Sequence, residues 1–296
     1  MIAPPNLAIS PLSPILGSMV EGVTVADLVR PENADMAARL RSVIDERLVL
    51  LFPQQRVTPE QYIAFARLFG DLPELKPVPH VEGAAEIKIL SNSGSLDGKH
   101  IRGGNSAAEL IWHADDTYRP EPPSFMFLLA QKVPSTRRPR TSWLSLYEIY
   151  EKLDAPIRDK LAGLSAIHAA IGSNDVKYHR GGPTPSVEAR QEGSHHPLLR
   201  AHPESRRPCL FMPRRRDALV VGKTSSESAT LIEPLWDALM SNDHGCSIAL
   251  NAGDLVVWDN RFTLHARDAW DMSEARTMWR LANTGERPIP VDQSVL

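Results

Sequence analysis

The chain reads as mainly β with α (α+β), a jelly-roll barrel or double-stranded β-helix with helical insertions. Three observations predict it: short apolar runs recur along the chain, long polar connections separate many of them, and only a few capped helical patterns lie between. At 296 residues a single domain over 1–296 can bury a full core.

Taken in order, residues 1–13 are proline-rich and lack periodicity, which predicts an irregular lead-in. Asn33 caps a helix that gathers Met36, Leu40, Val43 and Ile44 on one face. Residues 48–52 are a short buried strand stopped by Pro53. Thr58, Pro59 and Gln61 combine a cap, a proline in the first turn and a capping-box partner, so a helix starts there, turns Tyr62, Phe65, Ala66 and Phe69 inward and ends at Gly70. Residues 87–90 are strand-like. Glycine-rich polar stretches near 91–108 and 173–194 predict mobile loops. Residues 125–129 read as a buried strand, and Ser145 with Glu148 opens a helix through about residue 161. Short strands follow at 197–200, 209–212, 219–221, 247–250, 254–258 and 277–283, interrupted by one helix at 226–240.

A formal charge of −3, from 33 basic and 36 acidic residues, gives no global pull toward nucleic acid or an anionic membrane. The expected partner is a small molecule. Cys209 and Cys246 form no disulfide framework and have no metal-like spacing. Without a signal segment or an apolar run approaching ~18 residues, the expected compartment is the cytoplasm.

The chemistry concentrates in Ile111-Trp112-His113-Ala114-Asp115-Asp116. On an extended strand side chains alternate, so His113 and Asp115 point to the same side. His265, at the end of the apolar stretch from Asp254, offers a second imidazole. Two histidines and one carboxylate on one face form the triad that holds non-haem Fe(II) with positions left open. His-x-Asp alone is a short pattern, and a histidine salt-bridged to a nearby acid would look the same.

Further motifs surround these residues: the Glu21-Gly22-Val23 turn, Phe65-Ala66-Arg67-Leu68-Phe69-Gly70-Asp71, Pro122-Pro123, Val133-Pro134-Ser135, Trp258-Asp259-Asn260-Arg261, and Arg276 to Arg280 with Gly285 behind. With them the chain resembles, over nearly its whole length, the family of taurine dioxygenase and 2,4-dichlorophenoxyacetate dioxygenase, Fe(II)/2-oxoglutarate enzymes. The resemblance implies that His113, Asp115 and His265 ligate Fe(II), that Arg276 pairs with the distal carboxylate of 2-oxoglutarate, and that O2 is the further co-substrate. It implies that Thr141 touches the 2-oxoglutarate carboxylate near the metal, although Arg137-Arg138-Pro139-Arg140 replaces the glycine-rich approach common in the family. It places Arg280, His80 and Asn92 toward the substrate, which is anionic if Arg280 meets it. Relatives of this kind often form dimers or tetramers.

The residues themselves are consistent with this. Arg276, Met278 and Arg280 share one face of the last strand, and inward arginines are costly to bury without anionic partners. Arg214-Arg215-Arg216 reads as a solvated turn, and adjacent His195 and His196 must face opposite ways on a strand. The expected reaction is a hydroxylation coupled to 2-oxoglutarate decarboxylation. The carboxylate at 115 is equally compatible with desaturation or ring formation after the same hydrogen abstraction. A zinc hydrolase using the same ligands and a non-catalytic anion-binding barrel stay open as alternatives.

Overall fold

A computed structural model describes residues 6–73, 79–92, 95–96, 99–100, 107–169, 186, 190–241 and 245–292, with only the backbone at 95–96 and 99–100. Twelve strands make its two largest sheets. In chain order they are β1 Ala8–Pro11, β2 Ser18–Glu21, β3 Val49–Phe52, β4 His80–Val81, β5 Ala84–Ser91, β6 Leu110–His113, β7 Phe125–Lys132, β8 Arg140–Ser145, β9 Gly245–Ala249, β10 Leu255–Asp259, β11 Thr263–Arg267 and β12 Thr277–Ala282. The eight-stranded sheet runs β1-β2-β3-β10-β7-β12-β5-β4 and the four-stranded sheet β9-β8-β11-β6.

The central strands β3, β10 and β7 of the larger sheet carry unbroken apolar runs because both faces of those runs are buried. Leu50, Phe127, Val257 and Leu281 face outward into a core with Leu40, Ile44, Tyr62 and Phe65. These come from helices α2 Ala34–Arg47 and α3 Pro59–Arg67, which follow the single-turn α1 Val25–Leu28. Val49, Met126, Leu128, Val256, Trp258 and Met278 face the other way and meet Trp143 and Ile248 of the smaller sheet. The inner core therefore lies between the two sheets, and period-two alternation decides which side chains enter it. On the outer face Thr58 and Gln61 complete the reciprocal capping box that starts α3.

A third core packs α4 Leu146–Lys152, α5 Ala155–Leu161 and α6 Ser225–Ser241 with two three-stranded sheets. Arg200 is fully buried there, its guanidinium 4.9 Å from the Phe211 ring centroid and 5.1 Å from that of Phe262, with Glu286 as its counter-ion at 3.2 Å. Among the described residues no helix is long and apolar enough to cross a membrane.

Several expectations need correction. The lead-in is not irregular throughout, since Ala8–Pro11 pairs antiparallel with Ser18–Glu21. The helix foreseen from Ser145 to residue 161 is two helices: the ring of Pro156 would meet the carbonyl of Lys152, so the first ends there and Asp154 is extended before the second. Asn33 makes no cap bond, and its Nδ2 donates instead to the Asp27 carbonyl at 2.8 Å. The stretch from Asp254 to His265 is two strands joined by a turn, so His265 lies in the middle of β11. Strand Ser165–Ala169 was not foreseen. Of the two loops expected to be mobile, 93–94, 97–98, 101–106, 173–185 and 187–189 lie outside the described residues. Within the first loop, 95–96 pairs with 99–100, and within the second, Gly193 begins a strand.

Candidate metal centre and its cavity

His265 and His113 are directly opposed in the antiparallel register of β11 and β6. Opposed residues share a face, and their ring centroids are 4.2 Å apart. Two pairs further along, on the same face, Arg267 opposes Thr141 of β8, so both point between the sheets beside the histidines. Asp115 is not on the strand with His113: β6 ends at His113, and Asp115 begins a turn in which Asp116 has φ +52°. The carboxylate reaches the histidines all the same, with Oδ1 3.7 Å from His113 Nε2 and Oδ2 3.6 Å from His265 Nε2.

What holds Asp115 there is Asn260, in the turn between β10 and β11. Its Oδ1 accepts the Asp115 N–H at 2.8 Å, while its Nδ2 donates to the carbonyls of Asp115 and Pro123, each at 3.0 Å. Asn260 is 1% exposed. In the sequence Asn260 stands within Trp258-Asp259-Asn260-Arg261, where nothing local marks its task.

The three side chains fit a divalent cation. The Nδ1–H of His113 donates to the Ile111 carbonyl at 2.7 Å, which leaves Nε2 offering a lone pair toward the carboxylate. Two lone-pair donors facing one another across 3.7 Å are stable only with a proton or a metal between them. Burial and the nearby His113 push His265 down to about 3. Burial acts to raise the Asp115 carboxyl, but Arg280, His265 and His113 together hold it well below the usual carboxylate range. Ligand atoms of the three lie within 4.8 Å of one another.

A second cluster of Asp45, His202 and Asp259 meets the same distance test but does not fit a metal. His202 Nδ1 accepts from the Glu204 and Ser205 N–H groups, so its proton sits on Nε2. Both oxygens of Asp259 are engaged by the Arg261 side chain, at 3.0 and 2.7 Å.

The triad opens into a cavity of about 310 Å³. Its walls carry five basic side chains, Lys88, Arg214, Arg267, Arg276 and Arg280, against two acidic ones, Asp115 and Asp116. Arg276 lies just before β12, is 5% exposed, and pairs with no acid among the described residues. Burial lowers it to about 10. Its guanidinium and that of Arg267 lie 5.2 and 4.2 Å from the Trp270 ring centroid, and burial and Arg276 lower Arg267 to about 9. Thr141, buried, lines the same cavity. Such a concentration of desolvated positive charge is a seat for a small dianion.

Arg280 reaches Asp115 Oδ2 at 3.1 Å. His80 and Asn92 are not among the described residues that line the cavity. His80 is exposed on β4, the outermost strand of its sheet. The Asn92 amide is spent on the backbone, accepting the Arg276 N–H at 2.7 Å and donating to the Glu274 carbonyl at 2.8 Å, so it braces Arg276 from behind. Arg214, read as solvated, lines the cavity and pairs with Asp217 at 2.6 Å. His196 is buried and His195 exposed, as their adjacency requires.

The profile of the "Taurine catabolism dioxygenase TauD, TfdA family" matches residues 8–282. The chain is 31% identical over 291 residues to the (S)-phenoxypropionate/alpha-ketoglutarate-dioxygenase of Sphingobium herbicidovorans, covering 95% of this chain and 96% of that one. The crystal structure of a taurine dioxygenase from Burkholderia xenovorans superposes with a TM-score of 0.75 at 28% identity, covering 97% of this chain and 93% of that one. The crystal structure of AAD-2 in complex with Mn(II) and N-oxalylglycine has a TM-score of 0.75 at 25% identity, covering 96% and 99%. The chain belongs to the TauD/TfdA family of alpha-ketoglutarate-dependent dioxygenases.

Proposed function

We propose that the enzyme hydroxylates a small anionic organic substrate at the expense of 2-oxoglutarate, with His113, Asp115 and His265 holding Fe(II). On this reading the two facing sheets are the walls of a double-stranded β-helix within a single domain, supported by the core they share. The single observation that carries the proposal is that a two-histidine, one-carboxylate cluster and a buried guanidinium that pairs with no acid among the described residues open into one cavity. Fe(II) bound with 2-oxoglutarate and O2 supplies the oxidant that removes hydrogen from a C–H bond.

The chain's own residues supply position and charge. Arg276 receives the distal carboxylate of 2-oxoglutarate, with the planar fork that suits two parallel hydrogen bonds. Thr141 offers a hydroxyl to the carboxylate nearer the metal. Asn92 fixes the Arg276 backbone, and Trp258 and Leu128 give the cavity apolar wall that limits water. Arg280 meets the acidic group of the substrate, and an aryloxy carboxylate is the first candidate, as in the Sphingobium relative. Two free cysteines suit a reducing, cytoplasmic setting. A dimer or tetramer, as the resemblance implies, is testable by sedimentation velocity.

The test is an anaerobic titration of metal-free protein with Fe(II) and then 2-oxoglutarate, followed through the visible charge-transfer band of the chelate. 2-Phenoxypropionate is then added with oxygen and succinate is measured. The band and substrate-stimulated succinate are expected in the wild type and absent in His113→Ala and Asp115→Ala. A variant that kept full succinate production would overturn the ligand assignment. Desaturated or cyclised product in place of alcohol would redirect the outcome of the hydrogen abstraction without touching the ligands.

A further inference from the structure

We propose that Lys88 is a specificity-determining residue which, with Arg280, forms a two-cation seat for the anionic head of the primary substrate, a carboxylate or a sulfonate. The proposal rests on the oxygenase reading above and adds a second partner for the head group on the neighbouring strand.

Lys88 of β5 and Arg280 of β12 are directly opposed in register, so both side chains rise from the same face of the sheet. Like charges directly opposite one another destabilise a sheet. Here both are also drawn out of water, and burial followed by the field of Arg280 lowers the Lys88 amine. The acids whose fields favour its charge are already engaged: Asp116 pairs with Arg119 at 3.3 Å and Asp115 with Arg280 at 3.1 Å. Among the described residues the Lys88 side chain makes no ion pair or hydrogen bond, while its backbone belongs to the sheet. The approach of Arg280 to Asp115 brings the charges together without hydrogen-bond geometry, so Arg280 Nη2 remains a buried donor lacking an acceptor among the described residues. An ammonium with its donors free, beside a guanidinium with an orphaned donor, is an arrangement completed by an oxyanion with two or three acceptor oxygens.

The location suits a substrate. Lys88, Asp116 and Arg280 line both the metal cavity and a second hollow of about 260 Å³, and therefore stand at their junction. Leu72, Pro123 and Leu281 give that outer hollow apolar wall for the body of the ligand. Arg276 lies four residues before Arg280 along the chain, roughly 13 Å at the rise of an extended strand. The seat at the junction is thus separate from the one assigned to 2-oxoglutarate.

The experiment compares wild type, Lys88→Met, Lys88→Gln and Lys88→Arg as anaerobic Fe(II)–2-oxoglutarate complexes. Dissociation constants for 2-phenoxypropionate, 2-phenylethanesulfonate and the uncharged 2-phenoxypropionamide are read from perturbation of the visible band. Lys88→Met and Lys88→Gln are expected to weaken the preferred anion at least about tenfold, leaving the amide and 2-oxoglutarate unaffected, and Lys88→Arg to recover most of the loss. The ratio of the two anions decides between carboxylate and sulfonate. Unchanged anion affinity in both neutral variants, an equal loss for the amide, or a wild type that forms the band yet binds neither anion would overturn the proposal. Absence of the band in the wild type would instead overturn the oxygenase reading beneath it.

Discussion

Asn260 grips the peptide of Asp115 from both ends, accepting its N–H at 2.8 Å and donating to its carbonyl at 3.0 Å. Because Asp115 stands beyond the end of its strand, no sheet ladder fixes its carboxylate, and this side chain does so instead. Asn260→Ala is expected to fold but to bind Co(II) or Fe(II) about 10- to 100-fold more weakly, the usual effect of losing a residue that orients a metal ligand. Titration of the metal-free protein checks it, with retention of wild-type metal affinity as the contrary result.

Arg276 presents a trade between stability and function. A buried guanidinium without an acid partner costs folding free energy until an anion arrives. Arg276→Met is therefore expected to raise the melting temperature of the metal-free protein while raising the 2-oxoglutarate dissociation constant by two orders of magnitude or more, about 3 kcal/mol. Calorimetry with and without 2-oxoglutarate measures both. A lower melting temperature in the absence of 2-oxoglutarate would mean that Arg276 is a structural cation.

Acid should destabilise the metal-free protein. Burial pushes His265 down to about 3 and holds His168 well below the ordinary histidine value of 6.5. Between the folded and unfolded values the unfolded chain binds more protons, so stability rises with pH in that window and falls on acidification below about 6.5. Asp45, which burial and Asp259 raise to about 6, and Asp217, which burial also raises, work in the opposite sense over part of the same range, but burial lowers His196 and His202 as well, and these add to the first two. Urea midpoints at pH 7 and pH 5 are expected to fall with acid, and a rise would contradict the assignment.

Gly285 allows a close approach that no other residue permits. A Cβ added there would lie 1.6 Å from the Pro122 carbonyl oxygen, beside the turn that carries Asp115 and Asp116. Gly285→Ala is expected to cost about 2–4 kcal/mol, at the severe end for a single substitution. Gly222→Ala, whose Cβ would meet nothing within 4 Å but whose φ is +75°, should cost about 1 kcal/mol. Equal unfolding free energies for the two variants would remove the packing argument.

Much of the fold was legible because it follows from local rules. Leu50, Phe127 and Val257 sit in strands buried on both faces, which appear in the sequence as unbroken apolar runs, and Thr58 with Gln61 announces α3 directly. Ser165–Ala169 escaped notice because its short sequence has neither clear alternation nor an unbroken apolar run. The break at Pro156 was passed over because the capping signal at Ser145 made the following residues look like one helix.

By itself the sequence pointed to the class of chemistry: His113, Asp115 and His265 as residue types that could serve a metal, and, through the family resemblance alone, Thr141 and Arg276 as partners for 2-oxoglutarate. The tertiary structure decided what stands beside these residues. It put Lys88 opposite Arg280, brought Asn260 to Asp115 across 145 residues, turned Asn92 toward the Arg276 backbone, and left His80 at the sheet edge. The physical reason is that cross-strand register and turn geometry, which set these neighbours, depend on pairings between segments far apart in the chain. Local periodicity can say which way a side chain points, but not what stands opposite it.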